Sequence, residues 1–154
     1  NDLLQYAHEA RLKVISSECT ILSLALARSL GATRASRWLQ LEGMRIASSV
    51  PIAATTVYVT ANIGADASQF GYSEKSVTEI IEERFGITVS AIDQSIQAEL
   101  LSSRDAKALG MEPNRPVLRT IRRYYDESER LFVISNSRHP GDRFAYEMSY
   151  KRSR

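Results

Sequence analysis

The C-terminal third of the chain contains the stretch that decides the fold, Ser135-Asn136-Ser137-Arg138-His139-Pro140-Gly141-Asp142-Arg143-Phe144. The apolar run 131–134 leads into it, and the combination of Pro, Gly and Asp at 139–142 predicts a turn. Beyond the turn, aromatic and Met side chains alternate with charged or small ones: Phe144, Tyr146, Met148 and Tyr150. A period of two is typical of a half-buried antiparallel strand. We therefore predict a strand over Arg143–Lys151 with these four side chains on its buried face.

The composition is that of one globular domain. The 154 residues are 44% hydrophobic and 25% charged, which provides for a sizeable core. No window approaches the roughly 18 apolar residues of a membrane span, and no export signal opens the chain. One Cys and two His argue against a disulfide framework or a metal site. We expect a cytoplasmic domain, residues 1–154, without cofactor, metal or membrane contact; the start at Asn1 suggests a processed product or an excised piece.

The net charge of +2 hides an asymmetry along the chain. Residues 115–154 hold ten basic and five acidic side chains, so the preceding part is acidic. A basic region can indicate a nucleic-acid partner. However, no candidate helix carries a basic stripe, and cations that alternate along strands usually form a solvated sheet face. We expect that this domain does not itself bind DNA.

Local patterns divide the rest of the chain into strands and helices. Segments of β-type composition predict strands over 11–17, 36–47, 51–60, 87–100 and 117–126. Capping residues and apolar spacing predict helices over Thr20–Leu30, from Ser76 to Gly86, and over Ser102–Leu109. Six or seven strands joined mostly by turns, with three inserted helices, indicate an α+β domain built on an antiparallel sheet.

The sequence contains no recognisable catalytic motif. It lacks a G-x-S-x-G elbow and the Gly-rich loops that cradle phosphates, and only His8 and His139 could serve as imidazole bases. Polar and cationic residues instead occupy positions expected to be apolar: Arg45, Thr55, Thr56, Arg119, Arg123, Ser135, Ser137 and His139. A buried Arg is costly unless paired. An inward Arg therefore implies either a resident acid or an anionic ligand, and both interpretations are open at this point.

Short segments in a characteristic order carry a family resemblance. They are Val14–Ser17, Trp38–Arg45, Val50–Ile52, Val57–Val59, Ser95–Ala98, Ala106–Gly110, Pro116–Leu118, Arg122–Asp126 and Gly141–Phe144. In this order the chain resembles the UTRA domain, the effector-binding half of the HutC subfamily of GntR-type bacterial transcriptional regulators. The resemblance implies a chorismate-lyase-like fold, a homodimer and a small-molecule effector. It also implies that DNA is bound through an N-terminal winged helix-turn-helix domain absent from this chain.

The same resemblance indicates the site. Members that bind amino-sugar phosphates hold them with an Arg pair on the first hairpin, a Glu on its return strand and polar residues before an Asp-Arg turn. Arg45 matches the second Arg, whereas Gly43 replaces the first and leaves room for a ligand, and Thr55 stands at the Glu. We predict an anionic effector bound by Arg45, Thr55, Ser135, Ser137 and His139, with Thr56, Arg119 and Arg123 as secondary candidates.

The predicted function is that of a non-catalytic, ligand-sensing domain of a transcriptional regulator. One alternative is a small enzyme of the chorismate-lyase type, which the replacement of the Glu by Thr55 disfavours. The other is a dimerisation module that binds no ligand.

Overall fold

Segments rich in β-branched and aromatic residues form a six-stranded sheet in the computed structural model, which describes residues 11–33, 36–71 and 74–153. The strands are β1 (Arg11–Ile21), β2 (Arg37–Ala47), β3 (Val50–Thr60), β4 (Ala91–Leu100), β5 (Pro116–Tyr125) and β6 (Leu131–Pro140). Their order across the sheet is β1-β2-β3-β6-β5-β4, and all neighbours are antiparallel. The predicted α+β architecture with an antiparallel sheet is confirmed.

Three short helices connect the strands, and each begins and ends where the sequence provides a cap. They are α1 (Leu24–Leu30), α2 (Val77–Phe85) and α3 (Ser103–Leu109). The hydroxyls of Ser23, Ser76 and Ser102 each accept a hydrogen bond from a backbone N–H in the first turn. A glycine with positive φ follows each helix. Two 3₁₀ turns, Ala61–Ile63 and Ala67–Phe70, occupy the passage after β3.

Predicted boundaries were wrong in two regions. β1 continues to Ile21, beyond its predicted end at residue 17, and the first helix begins after Ser23 and not at Thr20, which still pairs with Trp38. The strand predicted from residue 87 begins only at Ala91, because its partner β5 ends at Tyr125, opposite Ala91. In both cases the ladder to a neighbouring strand sets the boundary, and local composition does not.

The strand predicted over Arg143–Lys151 does not form, and this is the main error. Met148 and Tyr150 are 58% and 85% exposed, while Phe144 and Tyr146 are half-buried. Residues 135–140, predicted as the end of a strand and a turn, instead continue β6 between β3 and β5. The chain then leaves the sheet, and the Arg143 guanidinium donates to the Pro51 carbonyl at 2.9 Å. Alternation alone cannot make a strand where no neighbouring strand offers backbone partners.

The sheet is covered on both faces. On one side, which we call the α2 face, apolar residues of β2 and β3 pack with α2 and Phe70: Leu39, Leu41, Val57 and Val59 with Ile80 and Ile81. On the other side, the α1/α3 face, Trp38 and Tyr58 pack on α1, and Met44 and Ala54 pack on α3. Burial on both sides explains why β2 and β3 show no simple alternation of apolar and polar residues.

Candidate functional site

The five primary site residues predicted from sequence lie together on the α2 face. In an antiparallel sheet, residues directly opposite each other point to the same side. Thr55 is opposite Ser137, and Ser135 is opposite Val57 of the apolar cluster. Gly43 is opposite Thr55, and Arg45 lies two residues beyond Gly43 along β2, on the same side of the sheet. His139 lies two residues beyond Ser137 along β6, also on this side. The sheet register therefore places Arg45, Thr55, Ser135, Ser137 and His139 in one patch, which we call the polar patch.

The polar patch is buried and linked by hydrogen bonds. Thr55, Ser135, Ser137 and His139 are each at most 6% exposed, and Arg45 is partly buried. The Arg45 Nη2 donates to Ser135 Oγ at 3.2 Å, and the hydroxyls of Thr55 and Ser137 are 2.8 Å apart. Buried polar groups must be satisfied, so these contacts hold the side chains in fixed positions.

Two members of the polar patch were missed by the sequence analysis. Thr120 Oγ1 lies 3.0 Å from His139 Nε2 and is 5% exposed. Arg122 is 9% exposed, lies opposite Ser135, and donates through Nε to Gln94 Oε1. Alternation along β5 places Thr120 and Arg122 on the same side of that strand. Only the pairing of β5 with β6 shows that they lie on the same face of the sheet as Ser135 and Ser137.

His139 is held as a neutral ring. Its imidazole stacks on Phe144 with centroids 4.1 Å apart and planes at 21°. Burial, then the charges of Arg45 and Arg122, lowers the pKa of His139 from 6.5 to about 3. The imidazole therefore acts near neutral pH as a hydrogen-bonding group without charge. The polar patch combines two guanidinium groups, several hydroxyls and a neutral imidazole, which suits a polar or anionic small molecule.

The three secondary candidates lie on the α1/α3 face, so the structure does not bring them to the polar patch. Arg119 donates to Asn136 Oδ1 at 3.0 Å and forms an ion pair with Glu99 at 3.2 Å. Arg123 donates through Nε to the Leu30 carbonyl at the end of α1. Thr56, opposite Asn136, shares this face. The two arginines fasten α1 and the edge of the sheet, which accounts for their burial without a ligand.

Gly43 does not leave room for a ligand, contrary to the sequence-based expectation. An added Cβ would lie 2.0 Å from the Lys13 carbonyl oxygen and 3.0 Å from Val14 Cα. The β1–β2 register shifts here, between Val14 and Ser16. The missing side chain is therefore required by the close approach of the β1 backbone.

Within the ranges that the structure describes, no group of three or more His, Cys, Asp or Glu side chains could hold a metal ion. None of the helices described there is long and apolar enough to cross a membrane.

Comparison with known proteins places this chain in a family. The sequence model of the UTRA domain matches residues 5–145. The chain belongs to the UTRA domain family. A curated relative, the HTH-type transcriptional repressor NagR of Bacillus subtilis, is 23% identical over 121 residues, covering 79% of this chain and 49% of that protein. This UTRA domain thus spans about half the length of the curated relative it matches.

Solved structures share the fold. The ligand-binding domain of a GntR-family regulator from Bordetella bronchiseptica aligns with a TM-score of 0.81 at 18% identity, covering 94% of this chain and 90% of that one. The effector domain of PhnF from Mycobacterium smegmatis aligns with a TM-score of 0.78 at 22% identity, covering 93% and 88%. The UTRA match and the repressor relative confirm the predicted ligand-binding regulatory domain of a transcriptional regulator; that relative is a repressor and not an enzyme.

Proposed function

We propose that this UTRA domain binds a small anionic metabolite at the polar patch and thereby controls DNA binding by a winged helix-turn-helix domain of the same regulator. The observation that carries the proposal is the polar patch itself. Arg45, Thr55, Ser135, Ser137 and His139 converge on one buried side of the sheet, and Thr120 and Arg122 extend the patch across β5.

Charge and geometry favour an anion over a neutral ligand. Arg45 donates to Ser135, Arg122 is opposite Ser135 in the neighbouring strand, and the charges of both arginines act on His139. A carboxylate or phosphate bonded by a guanidinium gains roughly 1.5–3 kcal/mol per charge-assisted hydrogen bond. Thr55 supplies a hydroxyl without the negative charge of a Glu, which favours an anion at this position.

The regulatory step follows from differential affinity. An effector that binds one arrangement of the regulator more tightly shifts the population towards that arrangement. In our proposal the domain is a cytoplasmic homodimer of the HutC subfamily, and the two arrangements differ in the placement of the paired DNA-binding domains. The UTRA match and the GntR-type relatives support this proposal.

A thermal-shift screen of small metabolites tests the proposal, because a ligand at 100 times its Kd adds roughly 2.7 kcal/mol to apparent stability. We expect carboxylate- or phosphate-bearing compounds to raise Tm. Calorimetric titration of Arg45→Ala should then show affinity for the hit reduced at least about tenfold. Arg130→Ala is the matched control, because Arg130 is 78% exposed and pairs with Asp126 at the β5–β6 turn.

Two results would contradict the proposal. If a folded Arg45→Ala variant binds the hit as tightly as the parent, the site lies elsewhere. If no metabolite raises Tm, the domain is a dimerisation module without a ligand, which was the second alternative from sequence.

A further inference from the structure

A cavity lies on the α1/α3 face, on the opposite side of the sheet from Arg45. It measures about 510 Å³ and is bounded by α3, the β1 bulge and the middle of β2 and β3. This volume is within the range of small-molecule sites. Its lining includes the apolar residues Met44, Ala54 and Ala108 together with Thr55 and Thr56, and its walls carry ionised side chains of both signs.

One wall holds a fixed carboxylate. Glu42 accepts hydrogen bonds from Gln40 Nε2 at 3.0 Å and from Ser16 Oγ at 3.3 Å. The Glu42 side chain is 26% exposed, so both its position and its orientation are set by the sheet. A carboxylate held in this way is ready to receive a cationic group with little further loss of conformational entropy.

The partner of Glu42 is held much less firmly. Arg104 reaches from α3 across the cavity to Glu42 Oε2. The Arg104 side chain is 77% exposed, and exposed ion pairs of this kind contribute little because solvent screens them and the long side chain loses freedom. The Arg104–Glu42 pair is therefore a weak clasp between α3 and β2 that a ligand can open.

The other charged side chains of the cavity wall are less exposed than Arg104 and are paired with one another. Arg138 pairs with Glu99 at 3.2 Å and lies 3.8 Å from Asp105, and all three side chains are only 21–28% exposed. Arg119 neutralises the other oxygen of Glu99 from outside the cavity. The walls thus present no large excess of either sign, which disfavours a ligand that carries only one kind of charge.

We propose that this cavity is a second binding site, which takes a small zwitterion carrying an ammonium and a carboxylate group. The ligand inserts into the clasp, with its ammonium on Glu42 and its carboxylate on Arg104. Both protein charges then keep a partner, and the overall charge of the site is unchanged. Because the clasp joins α3 to β2, occupancy gives the domain an input on the face of the sheet opposite Arg45.

Three probes with the same four-carbon chain test the charge requirement in NMR titrations of the 154-residue chain at low ionic strength. They are 4-aminobutanoate (zwitterion), 1,4-diaminobutane (cation) and succinate (anion). We expect saturable, roughly millimolar or tighter binding of 4-aminobutanoate. Shifted amide signals should map to α3 and to the middle of β2 and β3. The two singly signed probes should bind at least about tenfold more weakly.

Two substitutions identify the clasp. Glu42→Gln and Arg104→Gln should each weaken 4-aminobutanoate at least about tenfold, since each removes one charge-assisted contact. Arg130→Gln is the matched control, because Arg130 is as exposed as Arg104 and lies in another surface ion pair. We expect no change in that variant. Unchanged amide spectra away from the cavity will show that each variant is folded.

The signs of the two effects separate this proposal from its rivals. If the cavity binds cations alone, Arg104→Gln tightens binding of 4-aminobutanoate, because a competing cation is gone. If it binds anions alone, Glu42→Gln tightens binding of 4-aminobutanoate, because a competing anion is gone. Either result overturns the zwitterion site, as does the absence of saturable binding by 4-aminobutanoate.

Discussion

His139 is the most deeply buried of the polar side chains described in the structure, at 1% exposure. Burial and the nearby Arg45 and Arg122 lower its pKa from 6.5 to about 3. In the unfolded chain the ring takes up a proton as the pH falls through 6.5, while the folded chain resists protonation until about pH 3. The contribution of His139 to the free energy of unfolding is therefore fully present above pH 6.5 and is lost as the pH falls towards 3.

The resulting prediction concerns stability against pH. We expect the free energy of unfolding of the parent to fall by on the order of 2 kcal/mol between pH 7 and pH 5 through this residue. His139→Gln removes the titrating group, so its curve should lack this component. Urea titrations of both proteins at several pH values measure the difference. Parallel curves would show that His139 does not titrate as the structure implies.

Gly43 is a residue whose role lies in backbone packing. We expect Gly43→Ala to reduce the free energy of unfolding by about 1–3 kcal/mol, because the new methyl group meets the backbone of residues 13–14, which has little freedom to shift. Gly71→Ala is the matched control, since its φ is −60° and the nearest atom to an added Cβ is Ser68 O at 4.0 Å. Equal urea midpoints for the two variants would show that the backbone of residues 13–14 does not lie close to Gly43.

At the scale of elements, β5 fastens α1 to the sheet. Arg123 donates to the Leu30 carbonyl, and Arg119 donates to Ser29 Oγ at 2.6 Å. The carboxyl end of a helix carries unpaired carbonyls and a partial negative charge, so a cation there is favourable. Two residues that the sequence analysis assigned to a ligand thus bind the end of a helix.

Replacing Arg123 tests this attachment. Arg123→Met keeps the length of the side chain and removes its charge and donors, so we expect a loss of about 1–2 kcal/mol in the free energy of unfolding. Arg28→Met is the control, because Arg28 lies in the last turn of the same helix but is exposed. Its effect should be within about 0.5 kcal/mol. If urea unfolding shows the same loss of free energy for both variants, Arg123 stabilises the domain only through its positive charge and not through its bond to Leu30.

At the scale of the whole molecule, the two faces of the sheet hold different chemistry. The α2 face carries the polar patch, and the α1/α3 face carries the ion-paired cavity. The β2–β3 hairpin contributes to both, with Arg45 and Thr55 on one side and Glu42 and Thr56 on the other. A ligand on either face therefore acts on the same hairpin.

Self-association is a property of the whole domain. We expect sedimentation to show a dimer at micromolar concentrations, because the proposed regulator reads paired half-sites in DNA with two-fold symmetry. A strictly monomeric species under these conditions would count against the homodimer.

DNA binding provides a second test at this scale. The three described α-helices have seven, nine and seven residues, and each packs apolar side chains against the sheet. None of them is available to enter the major groove. We expect the 154-residue chain to show only weak association with DNA that salt abolishes. A sequence-selective mobility shift that persists in salt would overturn this expectation.

The sequence by itself determined the N-caps of α2 and α3, the glycines that end all three helices, the α+β class and the residue types of the polar patch. Ser76, Ser102 and the glycines after the helices act through hydrogen bonds that span only a few residues, so their pattern is visible in any short window. The family resemblance rests in the same way on short segments in order.

Only the tertiary structure decided strand pairing and the facing of side chains. A strand needs backbone partners that are distant in the sequence. The alternation over 143–151 could not reveal that no strand in the described part of the chain pairs with it, and the polar stretch 135–140 could not reveal that it lies between two strands. Alternation assigns residues to two sides of each strand, but strand order and register decide which sides coincide. For that reason Arg45 and Arg122 share a face, while Arg119 and Arg123, each an odd number of residues from Arg122, lie on the other.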